Sequence, residues 1–178
     1  MHKVTGRRAM LRGKPIALAV AAILPAGAAF AQPAPNTVPT NGAYTAGTGT
    51  ILPVTPESHL RVEQASQKGI IEWGTFSIGS AASVHFQQAF DRQGLTLNRV
   101  VSANSPSEIF GRLTSNGQLF LVNTAGVLFA PTASVSAGAL VASTLNITDQ
   151  NFLLGNYVFE KSGNAGPAPA GRAVAAAD

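Results

Sequence analysis

The chain has 178 residues and no cysteine, and its 12 Lys and Arg against 8 Asp and Glu give a formal charge of +4. Without cysteine there is neither a disulfide framework nor thiolate chemistry. Five of the basic residues (Lys3, Arg7, Arg8, Arg12, Lys14) precede residue 15, so seven basic residues face eight acidic ones beyond residue 31. That balance leaves no nucleic-acid-binding stripe and no polybasic membrane patch.

The first element in chain order is an export signal. Arg7, Arg8, Arg12 and Lys14 precede an apolar run from Pro15 to Leu24 and a small-residue stretch ending Ala29-Phe30-Ala31, the order of a secretory signal peptide over residues 1–31. Its apolar core is shorter than the roughly 20 residues a membrane span needs, so no stable membrane insertion is expected. The pair Arg7-Arg8 also fits a twin-arginine signal, which carries folded passengers, and the general secretory route is preferred. Residues 32–43, rich in Pro and small polar residues, are expected to form an extended or mobile leader.

A series of β-like runs follows: Tyr44 to Val54, His59 to Glu63, Gly69 to Trp73, Thr75 to Ile78, Val84 to Gln87, Leu95 to Val101 and Glu108 to Leu113. Gly111 to Thr144 then holds the short runs Leu119 to Val122, Val127 to Phe129 and Leu140 to Ala142, with corners at Asn116-Gly117, Asn123 to Gly126 and Ala137-Gly138. Each run is too short for a helix and is closed by turn residues. Ser115, Ser134 and Ser136 are read as corner hydroxyls serving backbone groups. Only Ala65 to Gly69 and Asp149 to Gly155 suggest helix, and both are short.

Gly-x-Leu recurs at Gly117, Gly126 and Gly138, the first and last 21 residues apart, which is the length of one coil of a stacked repeat. Leu119-Phe120-Leu121-Val122 puts bulky side chains on both faces of one strand, as in a parallel sheet covered on both sides. A one-sided antiparallel strand would alternate with polar residues, so a parallel β-helix is favoured over a β-sandwich. The fold class is therefore all-β, with the stacked domain over residues 44–160. Residues 161–178, mostly Ala, Gly and Pro, form a loose tail that is expected to be the end of a fragment of something longer.

Nothing in the sequence points to catalysis, a cofactor or a metal. His59 and His85 lie singly in alternating strand patterns, and the acids Glu57, Glu63, Glu72, Asp91, Glu108, Asp149 and Glu160 lack metal-ligand spacing. Nucleophile-elbow, phosphate-loop and zinc-protease motifs are absent. Asn146-Ile147-Thr148 matches the glycosylation triplet, but a strand-end turn accounts for it. Trp73, inside the apolar run Ile70-Ile71-Glu72-Trp73, is expected to pack as a cap over the first coils and not to form a ligand platform.

The ordered motifs Lys68-Gly69-Ile70-Ile71-Glu72-Trp73-Gly74-Thr75-Phe76-Ser77-Ile78-Gly79, Val84-His85-Phe86, Leu97-Asn98-Arg99-Val100 and Ser107-Glu108-Ile109-Phe110-Gly111-Arg112-Leu113 carry a resemblance, continued by Asn116 to Asn123 and Leu140 to Leu145. The chain resembles the N-terminal secretion domain of filamentous haemagglutinins and related two-partner-secretion exoproteins. The resemblance implies a right-handed parallel β-helix, export through the periplasm of a Gram-negative bacterium to the cell surface or medium, and recognition by an outer-membrane Omp85-type transporter. It also implies a role as folding nucleus of a longer adhesin or haemagglutinin, whose host-cell or bacterial receptor would be met by the region downstream. A free-standing surface adhesin or carbohydrate-binding module is the alternative, and a polysaccharide lyase or hydrolase on the same fold is disfavoured by the scarcity of clustered acids and bases.

Two family motifs carry over by residue, and they supply the candidate transporter-recognition residues: Asn98 and Arg99, and Asn123 with Gly126, the ends of the family's Asn-Pro-Asn-Gly turn. Thr124 and Ala125 replace the middle Pro and Asn, which puts the turn type or the recognition contact in question. Asn123 is equally well read as closing a coil through backbone hydrogen bonds. Arg99, a cation in an apolar strand, needs a partner such as Glu108 or Asp91, or an exposed surface.

Overall fold

The computed structural model describes residues 32–102 and 104–161. The signal peptide expected over 1–31, and residues 162–178 of the expected tail, lie outside the described residues. The stretch read as one strand from Tyr44 to Val54 is broken at Gly47, whose φ of 77° suits glycine, into β1 (Ala43–Ala46) and β2 (Gly49–Ile51). Both pair antiparallel with the first coil, β1 on β4 and β2 on β3, and so close its open edge.

The first coil consists of β3 (His59–Gln64) and β4 (Lys68–Trp73), and the second of β5 (Ser83–Gln88), β6 (Leu95–Val100) and β7 (Ser107–Ile109). The third holds β8 (Arg112–Ser115), β9 (Gln118–Val122) and β10 (Val127–Phe129), and the fourth β11 (Ser134–Ser136) and β12 (Ala139–Ser143). Equivalent strands of the coils stack in parallel, and with β1 and β2 added antiparallel at one end they form three sheets, in the orders β2-β3-β5-β8-β11, β1-β4-β6-β9-β12 and β7-β10. The chain is thus a parallel β-helix of four coils, as its strand patterning implies. The 21-residue repeat is realised in the register: Leu140 stands against Leu119, and the Gly138 amide donates to the Gly117 carbonyl at 2.8 Å.

Three readings are corrected by the fold. Thr75 to Ile78 is not a strand but a corner with isolated bridges, Thr75 to Thr40 and Ile78 to Ile109. Glu108 to Leu113 is two strands, β7 and β8, because the chain turns at Phe110-Gly111, where the amides of both residues donate to the Ile78 carbonyl. Ser134 and Ser136 lie in β11 and not at corners: short polar side chains on an exposed strand lack the bulky β-branched signature that sequence reading relies on. Of the two helix candidates, Ala65 to Gly69 is the turn into β4, whereas Asp149–Leu154 is a helix, α1. Thr148 caps it, its hydroxyl accepting from the Asn151 amide at 3.2 Å, and Gly155 ends it in the left-handed region at φ 82°.

Two apolar clusters hold the coils. The inner one runs through the barrel of the helix and includes Val62, Ile71, Trp73, Phe86, Ile109, Leu113, Leu119 and Leu121. The outer one lies on the far face of the β4-β6-β9 sheet, where Ile70, Leu95, Leu97, Phe120 and Val122 are covered by Ile147 and Phe152. This second layer explains Leu119-Phe120-Leu121-Val122: alternate residues face the interior and the strap formed by residues 144–160. Phe120 sits among Phe152, Tyr157 and Phe159, with ring centroids 5.0 to 5.9 Å away. The leader turns once, at Pro35-Asn36, and is attached: the Gly79 amide donates to the Thr37 carbonyl at 2.8 Å and the Ala81 amide to the Pro35 carbonyl at 2.9 Å.

Candidate functional site

Asn98 and Arg99 are consecutive on β6, so their side chains leave on opposite faces of the sheet. Asn98 points inward between Ile71 of β4 and Leu121 of β9 and is 1% exposed. A buried amide must be satisfied, and this one is: its Oδ1 accepts from the Trp73 indole Nε1–H at 3.0 Å, and its Nδ2 donates to the Phe120 carbonyl at 3.3 Å. Trp73 itself is buried and meets Phe76 edge-on at 5.5 Å, the packed role expected of it.

Arg99 points outward beneath the strap. Its Nη1 lies 2.7 Å from Asp149 Oδ1 and 3.4 Å from Glu72 Oε1, its Nε donates to Asn146 Oδ1 at 3.1 Å, and its Nη2 donates to the Ile147 carbonyl at 2.6 Å. The partners expected from sequence, Glu108 and Asp91, are not the ones it finds. Glu72 was one strand away and in register, and Asp149 opens a helix some fifty positions later, a proximity that only the strap's path creates. Asn146 is thereby engaged by Arg99, by the Ile147 amide and by a bridge to Glu160, and Thr148 caps α1, so the glycosylation-like triplet is a bridge leading into a helix cap and not the strand-end turn expected of it.

Asn123 follows β9 at a corner and is also 1% exposed. Its Oδ1 accepts from the Ala125 amide at 2.9 Å, its carbonyl accepts from the Gly126 amide at 3.0 Å, and its Nδ2 donates to the Ser105 carbonyl at 3.1 Å and Ser107 Oγ at 3.0 Å. Its own amide donates to the Ser143 carbonyl of the next coil at 3.0 Å. The side chain thus builds the turn and ties the third coil to the second, and the backbone amide ties it to the fourth. Gly126, at φ 131°, occupies backbone space that favours glycine, and its carbonyl accepts from the Ser107 amide at 2.9 Å. Thr124 and Ala125, where the chain departs from the family motif, are the exposed tip of the turn.

The four candidate residues therefore lie close along adjacent strands but face three ways: the core, the strap and the corner. The strap's second anchor was not foreseen. Lys68 Nζ donates to the Phe152 and Leu153 carbonyls at 3.1 and 2.8 Å, satisfying the last turn of α1, and stands over the rings of Phe152 and Tyr157. The sequence offered the short helix over Asp149 to Gly155, but nothing local to Lys68 ties it to that helix's last turn. Among the described residues no group of three or more His, Cys, Asp or Glu is placed to hold a metal ion, and no helix is long and apolar enough to cross a membrane.

Comparison with known proteins is consistent with this arrangement. The model of the TPS secretion domain family matches residues 33–172. Two heme/hemopexin-binding proteins of Haemophilus influenzae are similar, one 35% identical over 101 residues and the other, from strain Rd, 33% identical over 88 residues. The matches cover 57% and 49% of this chain but only 11% and 10% of those proteins. The crystal structure of the HMW1 secretion domain from Haemophilus influenzae superposes with a TM-score of 0.65 at 30% identity, covering 70% of this chain and 32% of that one.

Proposed function

This chain belongs to the TPS secretion domain family, and on that premise we propose that it is the N-terminal secretion domain of a large exported surface adhesin or haemagglutinin. The reading is supported above all by the family match across residues 33–172 on a β-helix of the same kind as the HMW1 secretion domain. The partner is an outer-membrane transporter of the Omp85 type, the export route passes through the periplasm, and the domain extends over residues 44–160. The family and fold support a domain that acts as an address and folding nucleus and not as an enzyme.

Burial decides how the candidate residues could serve. Asn98 and Asn123 are fully occupied inside the folded coil, and Arg99 is held beneath the strap. A transporter that reads these side chains meets them before the coils close, on the extended chain that the general secretory route delivers. Folding outside the cell then withdraws them, and each coil stacked on the last, through contacts such as Asn123 to Ser143, opposes return.

The test is secretion of a reporter fused behind the chain, in cells with and without the cognate barrel transporter. Transporter-dependent release, abolished by Asn123→Ala in a protein whose refolding rate and stability are matched by a second-site stabilising change, supports recognition of the unfolded chain. Release without the transporter would sink the proposal. Unimpaired release of the stability-matched variant would remove Asn123 from the recognition set.

A further inference from the structure

Parallel register turns sequence positions into a grid. On the outer face of the β2-β3-β5-β8-β11 sheet, neighbouring strands lie about 4.8 Å apart and alternate residues face outward. One row of this grid runs His59, Ser83, Arg112, Ser134, and the next runs Arg61, His85, Thr114, Ser136. The four nitrogen-bearing side chains of these rows, His59, Arg61, His85 and Arg112, all line one depression of about 640 Å³, whose apolar floor is supplied by Leu52 and Pro53. No acidic residue lines it.

His59 Nδ1 is 2.6 Å from Ser83 Oγ and His85 Nδ1 is 2.8 Å from Thr114 Oγ1, so each ring is steadied by a hydroxyl on the adjacent strand. The other nitrogen of His59 has no protein partner among the described residues, and that of His85 has only a long contact of 3.4 Å with Gln87 Oε1. Arg61 is paired with Glu63 at 3.1 Å, outside the depression. Arg112 makes no ion pair among the described residues, and its register neighbours on both sides are serines, Ser83 and Ser134. Arg61 stands directly across from His85, two side chains of like sign whenever the imidazole is charged, an arrangement that an anion between them relieves.

We propose that this depression binds an oxyanion, a carboxylate or sulfate carried on a compact organic body that lies on the apolar floor. Arg112 supplies the unpaired charge, Arg61 a second charge shared with Glu63, and the two imidazoles donate in the tautomer or charged form that the anion selects. The site lies on the sheet opposite the strap's and does not depend on the secretion reading.

The probes are glucuronate, glucose and inorganic sulfate, followed by NMR of the full chain through its imidazole and arginine Nε resonances. Glucuronate is expected to move the His59, His85 and Arg112 signals saturably, sulfate to displace it, and glucose to leave them unmoved. Arg112→Gln is expected to weaken glucuronate binding at least about tenfold, as loss of a hydrogen bond to a charged group does. Arg92→Gln, an exposed cation elsewhere, is expected to change nothing. Equal shifts from glucose, failure of sulfate to compete, undiminished binding by a folded Arg112→Gln protein, or equal weakening by Arg92→Gln would each overturn the proposal.

Discussion

Arg99 on the second coil and Asp149 in the first turn of α1 are 2.7 Å apart, and through this contact the strap is fastened over the apolar outer face of the sheet. The arginine side chain is 13% exposed, whereas that of Asp149 is 50% exposed. The two ends of the pair therefore differ in worth. Removing Asp149 leaves Arg99 its other acceptors and costs at most about 1 kcal/mol, as for an exposed pair. Removing Arg99 strips the Ile147 carbonyl and the Asn146 amide oxygen of a charged donor at once. Arg99→Gln is expected to lower stability by about 2–3 kcal/mol in denaturant unfolding. Hydrogen exchange should rise first at residues 146–152, and uniform exchange across the coils would contradict the strap's role.

Asn98 makes a second prediction, because among the described residues it is the one acceptor for the buried Trp73 indole N–H. Asn98→Leu keeps the branched shape, adds volume and leaves the indole N–H unpaired in the core, at a cost of at least about 1–3 kcal/mol. Asn98→Ala adds a cavity and is expected to cost more. Trp73 is the only tryptophan in the chain, so its fluorescence reports both the unfolding midpoint and any solvent reaching the ring.

The turn that departs from its relatives offers a stabilising substitution. Thr124 occupies the second position of a turn closed by the Gly126 amide on the Asn123 carbonyl, where proline is favoured. The preceding Asn123 directly follows β9 and continues its ladder through its amide to the Ser143 carbonyl, backbone that proline accepts in front of it. Thr124→Pro is therefore expected to raise stability by about 0.5 kcal/mol by restricting the unfolded chain. Gly126→Ala, at φ 131°, is expected to lower it by about 1–2 kcal/mol. A fall in midpoint with Thr124→Pro would show that the turn is not the one described.

How much of this was legible in the sequence follows from the range of the interactions. Stacking was readable, because Leu119 to Val122 is apolar on both faces and Gly117 and Gly138 recur at the length of one coil. The antiparallel cap was not, since the register of β1 on β4 is fixed by a bend at Gly47 that interrupts an otherwise continuous strand pattern. At the candidate site, Asn123's role in closing the turn follows from local residue chemistry and was open to sequence reading as one of two alternatives. Arg99's partner was not: Asp149 is brought to it by the strap, and nothing local to either residue encodes that meeting.

Tyr44 gives the cap a pH signature. Its hydroxyl donates to the Glu63 carbonyl at 3.1 Å between β1 and β3, and burial pushes its pKa up from 10.0 to about 12. The phenolate is disfavoured in the folded state, so the folded chain holds its proton over a range where the unfolded chain has lost it. With the folded value raised, the contribution to stability is fully present below pH 10.0 and is lost as pH rises towards about 12. The thermal midpoint is therefore expected to fall across that interval, with the loss beginning at the cap strands. Tyr44→Phe cannot ionise and should flatten this part of the profile, at the cost of the hydrogen bond to Glu63 at neutral pH. An unchanged alkaline slope in Tyr44→Phe would place the titrating group elsewhere, with Tyr157, also raised by burial, the next to replace.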